Sequence, residues 1–224
     1  MGVNNRMNKQ THSPIKKLVL LAMLAAVSYL IVSLVRIPVV LFLSYEPKDA
    51  IITISGFLLG PMASFIISLV VSLLEMVTIS QTGPIGGLMN LLSTCSFACT
   101  AAFVYKKRRT LSGAVMGLAF GTLAMAAVML LWNWLITPLY MGVSREAVQG
   151  MLLSVFLPFN LLKAGFNSAF VLCLYKPLVT ALRKTGLISS KPNTGGSAKV
   201  GIYLLGIGLF VSCIFLLLVF QGKL

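Results

Sequence analysis

Lys163 stands in FLPFNLLKAGFNSAF, deep in an apolar run and with no carboxylate near it in sequence. An ammonium inside a bilayer costs about 2.5–3.5 kcal/mol on insertion scales, so an intramembrane lysine marks a functional site by default; the alternative is a side chain that snorkels to the outer interface. Asn160 lies three residues before it and Asn167 four after, which on a helix puts all three on one polar stripe. Amides in hydrocarbon either bind something or hold helices together, and Asn167 alone fits the second role. Asn133 lies between Trp132 and Trp134, just before Thr137-Pro138-Leu139-Tyr140. The tryptophans suit an interfacial aromatic belt. An asparagine among them adds a donor and an acceptor near the outer mouth, and opposite a lysine-bearing helix these suit a planar, polar heteroaromatic ligand whose amide edges need partners.

Only four acidic residues exist. Glu46 and Asp49, in SYEPKDA, read as a capping pair with Asp49 opening the next helix. Glu75 lies inside an apolar run; it either pairs with Lys163 across the bundle or hydrogen-bonds a ligand, since facing lipid would be costly. One histidine, His12 in the polar tail, and no nucleophile–base pair argue against an enzyme. Cys95, Cys99, Cys173 and Cys213 all lie in apolar runs and read as small hydrophobes at helix contacts. The expectation is no metal site and no resident cofactor.

Helices in a membrane must position these groups. The 224 residues are 58% hydrophobic and 10% charged, with a mean hydropathy of +0.98, far from the balance of a soluble domain. A net charge of +14 raises the question of nucleic acid, but the basic residues punctuate apolar runs instead of covering a polar surface. That is the pattern of basic flanks held on one side of a bilayer.

Against the ~20 apolar residues that a crossing needs, the runs at 18–35, 62–79, 85–105, 111–135, 152–175 and 200–220 cross, and a shorter run at 50–60 is cut from its neighbour by Gly60-Pro61. The first run is too long for a signal peptide and lacks a small-x-small cleavage pattern, so it reads as a retained span. Thirteen basic residues share one side if every run crosses, leaving Arg36, Lys48, Arg145 and Lys223 opposite; the N-terminus is then cytoplasmic. The expected fold is all-α, an integral membrane bundle. Residues 1–17 form a basic cytoplasmic tail, 18–185 a six-helix substrate-binding membrane domain, 186–199 a flexible linker, and 200–224 an additional transmembrane helix appended to the core. The phosphate-cradling GxxxxGK[ST] loop does not occur in the sequence, so a transporter built on this chain borrows its energy from a partner or an ion gradient. Gly113, Gly117 and Gly121 suit close packing within the chain, whereas Ala22 and Ala26 on the outer first helix offer a docking face for another membrane subunit.

The order SYEPKDAIITISGFLLGP, NWLITPLY and LPFNLLK resembles the S components of energy-coupling factor (ECF) transporters, in particular the riboflavin-binding kind, over roughly residues 15–185. The resemblance implies a six-helix protein of the bacterial plasma membrane that captures a vitamin from outside. It releases the vitamin inward only with a shared module, a transmembrane coupling subunit and two cytoplasmic ATPases. Riboflavin would then be a transported ligand, not a cofactor. In such members an asparagine of the NxxxxPLY motif and the asparagine and lysine of LPFNxxK contact the ligand, and here these match Asn133, Asn160 and Lys163. The Ala22/Ala26 stripe matches the AxxxA contact for the coupling subunit. Asp49 is followed by Ala50-Ile51 where the family reads valine and proline, which weakens a ligand role for Asp49, and the last span has no family counterpart. An S component for another vitamin would keep the scaffold and change the pocket. A structural membrane protein of no transport function would carry the polar stripe without binding.

Overall fold

The protein is described by a computed structural model over residues 14–79, 82–184, 206–214 and 218. With no water in hydrocarbon to satisfy the backbone, the apolar runs close their own hydrogen bonds as helices. In chain order these are α1 (Pro14–Leu34), a hairpin of β1 (Ile37–Val40) and β2 (Leu43–Tyr45), α2 (Lys48–Leu59), α3 (Pro61–Thr78), α4 (Gly83–Lys107) and α5 (Leu111–Met141). There follow α6 (Arg145–Met151), a π-helical turn (Leu152–Phe156) and α7 (Leu157–Lys184) in one unbroken helical run. Among the described residues, five helical runs are long and apolar enough to cross a membrane.

The sixth core helix, α2, is different. Its 12 residues span only about 18 Å at ~1.5 Å per residue, short of a ~30 Å hydrocarbon core. It is buried from Lys48 to Phe57, and a helix buried all round belongs to the centre of a bundle. At Gly60, φ is 99°, a conformation that glycine adopts without steric cost, and Pro61 opens α3 where a missing N–H is harmless. The chain reverses there: Ser64 Oγ donates to the Ile52 carbonyl at 3.0 Å, and a Cβ on Gly56 would stand 2.1 Å from Ser64 Oγ. The expected glycine stripe packs within the chain, Gly117 on the Ala101 carbonyl and Gly121 on the Phe97 carbonyl, each with a Cβ distance of 2.6 Å.

The hairpin departs from a purely helical expectation. Ile37-Pro38-Val39-Val40 is too short and too β-branched to continue α1, and it pairs antiparallel with β2, Ile37 opposite Tyr45. Leu41 turns the hairpin with φ at 51°. The expected tail at 1–17 falls mostly outside the described residues, and the linker at 186–199 wholly so. Of the expected helix at 200–224, residues 206–214 are helical. They do not stand apart as an appendage: Phe210 meets Phe166 and Phe170 of α7 edge-on at 5.5 and 5.3 Å.

Candidate functional site

The site grows from the first turn of α2, where Lys48 and Asp49 are both fully buried. Consecutive helical residues point about 100° apart, so the two charges diverge. Asp49 turns towards α4 and α7. Its Oδ1 accepts from Thr94 Oγ1 at 2.7 Å, and its Oδ2 accepts from Asn167 Nδ2 at 3.3 Å and faces Lys163 Nζ at 3.4 Å. The expectation that Asp49 caps its helix is therefore corrected: no side chain caps α2. A carboxylate at a helix N-terminus is favoured by the dipole, but in this dry setting Asp49 answers to the buried ammonium.

Lys48 turns the other way, towards α3. Its Nζ donates to Glu46 Oε2 at 2.6 Å and to Glu75 Oε1. Glu75 is thus paired with Lys48, not with Lys163, and Lys48 is not a flank on the outer surface. Asn90 of α4 donates to Glu75 Oε2 at 3.0 Å and to Glu46 Oε1 at 3.4 Å. Arg36, beside β1, reaches Glu46 Oε1 at 3.3 Å. Three cations face three anions, so the cluster is neutral, as a buried charged group requires. Burial alone would raise the Glu46 carboxyl, but Lys48, Lys163 and Arg36 outweigh it and hold it at about 2. Burial, and then Asp49, push the Tyr45 phenol well above its ordinary value, and its hydroxyl donates to Asn167 Oδ1 at 3.2 Å.

The two remaining asparagines are buried and held on their own helices. Asn160 Nδ2 donates to the Phe156 carbonyl at 2.7 Å, directly after the π-helical turn. Pro158 has no N–H to return to the preceding turn, which is where a helix widens. Asn133 Nδ2 donates to the Met129 carbonyl at 2.7 Å, and its Oδ1 accepts from Thr137 Oγ1 at 2.8 Å. Thr137 also lines an apolar crevice with Phe42, Gly86, Met89, Trp132 and Tyr140. The hairpin tip roofs this mouth, Phe42 lying edge-on to Tyr140 at 5.2 Å.

Lys163 and Asn167 are thus joined at Asp49, while Asn133 sits one hydrogen bond behind the crevice wall. Sequence reasoning missed Lys48, Asn90, Thr94 and Tyr45, and favoured a capping role for Glu46 and Asp49. The available signal was the scarcity of acid: three of the chain's four carboxylates belong to this cluster. Ala22 and Ala26 are exposed, on the side of α1 opposite its buried Leu20, Leu24 and Ser28.

Several helices of membrane-crossing length around a charge-neutral polar cluster, with an apolar crevice between α4 and α5, make a small-molecule binding protein of the membrane. The chain belongs to the ECF transporter, substrate-specific component family, which its residues 16–175 match. It is 27% identical over 193 residues to the riboflavin transporter RibU of Staphylococcus aureus (strain TCH60), covering 82% of this chain and 100% of that one. It is 28% identical over 162 residues to the riboflavin transporter FmnP of Bacillus subtilis (strain 168), covering 66% of this chain and 84% of that one. The fold is similar to the solved S component of a bacterial ECF transporter, with a TM-score of 0.65, 27% identity, and coverage of 75% of this chain and 98% of that one.

Proposed function

We propose that this chain captures riboflavin, or a close flavin, at its hairpin end and delivers it inward as the substrate-binding subunit of an ECF transporter. The observation that carries the reading is the burial of Asn133, Asn160 and Lys163 on two helices packed against each other, in a chain whose relatives are riboflavin transporters. The dioxopyrimidine edge of a flavin presents two carbonyls and an N–H. Two carboxamides and an ammonium complement such an edge. Glu75 acts through Lys48 and not on the ligand. The hairpin end faces outside the cell and the Lys106–Arg109 end faces the cytoplasm, as does the N-terminus. The exposed Ala22/Ala26 face receives the transmembrane coupling subunit, and two cytoplasmic ATPases supply the energy.

Purified protein is expected to retain riboflavin. Lys163→Ala and Asn160→Ala should each weaken binding by about 1–3 kcal/mol, the cost of leaving a buried polar partner unsatisfied. Quenching of flavin fluorescence on titration measures this. Two folded variants that bind like wild type would move the site elsewhere.

A further inference from the structure

The helical segment 206–214 lies beyond the residues that match the family, 16–175, yet it is fitted to the bundle. It meets α7 through two reciprocal glycine–cysteine pairs. A Cβ on Gly165 would stand 2.7 Å from Cys213 Sγ, and a Cβ on Gly206 would stand 2.8 Å from Cys173 Sγ. The pairs run in opposite order along the two helices, which are therefore antiparallel. They are separated by eight residues on one helix and seven on the other, about 12 and 10.5 Å at ~1.5 Å per residue, so the register holds over two turns. Each helix supplies a glycine where the other supplies a thiol, the close approach by which helices associate in lipid.

The contact reaches the site. Cys213 is buried in one cluster with Tyr45, Leu162 and Phe166, and the Tyr45 and Phe166 rings are 5.1 Å apart. Tyr45 holds Asn167 at 3.2 Å, Asn167 holds Asp49 at 3.3 Å, and Asp49 faces Lys163 at 3.4 Å. We infer that the segment 206–214 is a brace for the ligand site, fixing Tyr45 and through it the Asn167–Asp49–Lys163 chain. Without it lipid tails would face this side of α7, and a mobile tail gives the Tyr45 ring no fixed wall. The brace rests on the proposed riboflavin site, because Lys163 is the group it positions.

The test uses the full chain. Gly165→Cys places a second sulfur beside Cys213, within the range that a disulfide closes. Mild oxidation should give an intramolecular cross-link that disappears when Cys213→Ser is added. Gly206→Leu then displaces the segment while leaving α7 and the rest of the core unaltered. It should raise the riboflavin dissociation constant about three- to tenfold, as should Tyr45→Phe, the range of one hydrogen bond. If the brace acts through Tyr45, the double variant binds no more weakly than the weaker single variant. Absence of the cross-link, an unchanged affinity in Gly206→Leu, or penalties that multiply in the double variant would each overturn the brace. Failure of the functional reading is seen separately, as a wild-type chain that does not bind riboflavin while the cross-link still forms.

Discussion

Lys48→Met tests the buried cluster most directly, because it keeps the apolar stem and deletes the ammonium shared by Glu46 and Glu75. Glu46 would keep Arg36 at 3.3 Å, and Glu75 would keep only the Asn90 amide at 3.0 Å. One anion is left without a counter-charge. At the Lys48–Glu46 separation of 2.6 Å, the attraction is about 6 kcal/mol with an effective dielectric of ~20. Part of that is offset, since methionine carries no desolvation cost, and removal of one partner of a buried pair costs about 3–5 kcal/mol. We expect Lys48→Met to fall in that range. Glu75→Gln should cost about 3 kcal/mol, since Lys48 still faces Glu46. The double variant removes one charge of each sign and leaves the Arg36–Glu46 pair neutral, so its cost should fall short of the sum by at least about 2 kcal/mol. Unfolding by SDS titration in mixed micelles, followed by the fluorescence of Trp132 and Trp134, reads all three. A cost below about 1 kcal/mol for Lys48→Met, or strict additivity, would refute the idea that these charges neutralise one another in a dry interior.

Thr137→Val removes the donor that fixes the Asn133 carbonyl and should weaken flavin binding by about 0.5–1.5 kcal/mol; an unchanged titration would mean that Asn133 is positioned otherwise. The Glu46 carboxyl is held at about 2 against an ordinary 4.5, so the stability it contributes is present above pH 4.5 and is lost as the pH falls towards 2. The melting temperature should therefore be flat from pH 7 to 5 and then fall, whereas Glu46→Gln should start lower and fall less; equal acid slopes in the two proteins would contradict the assignment. Replacing both Ala22 and Ala26 by leucine adds bulk on the exposed face of α1 and should abolish uptake without changing the flavin titration. Undiminished uptake would remove the docking role, and uptake by wild type in cells without the ATPases would sink the energy-coupling reading.

The long helices were legible because each is an apolar run of crossing length, and even the short α2 shows in the Gly60-Pro61 break. Lys163, Asn160 and Asn133 were legible for the same reason, as polar groups where polarity is expensive. Their partners were not. A carboxylate next to a loop looks like a cap whatever it touches, and nothing local distinguishes Asp49 facing solvent from Asp49 facing α4 and α7. The pairing of Glu75 with Lys48 instead of Lys163 depends on how α2 is rotated between α3 and α7, which is a matter of packing. The β1–β2 hairpin was hidden by its length, since four and three residues give too little alternation to read. The close fit of 206–214 to α7 was hidden because glycine and cysteine in an apolar run carry no sign of which helix they face.

The two kinds of hydrogen bond in the site bear on how a ligand gains affinity there. The amides of Asn133 and Asn160 donate to carbonyls four residues back on their own helices, carbonyls that the helical backbone already serves. Turning the Asn160 amide to a ligand leaves no orphaned acceptor behind, so the exchange is cheap, whereas Asn133 keeps its bond from Thr137 Oγ1 only if its Oδ1 stays in place. The Lys163–Asp49 pair is different, because breaking it would strand two buried charges. It need not break. An ammonium has three donors, and at 3.4 Å from Asp49 Lys163 is loosely held, so a ligand carbonyl can take another of its protons while the ion pair persists. At the proposed site the desolvation of Lys163 would be met in folding and not again on binding, so that a buried cation would add to affinity without a second penalty.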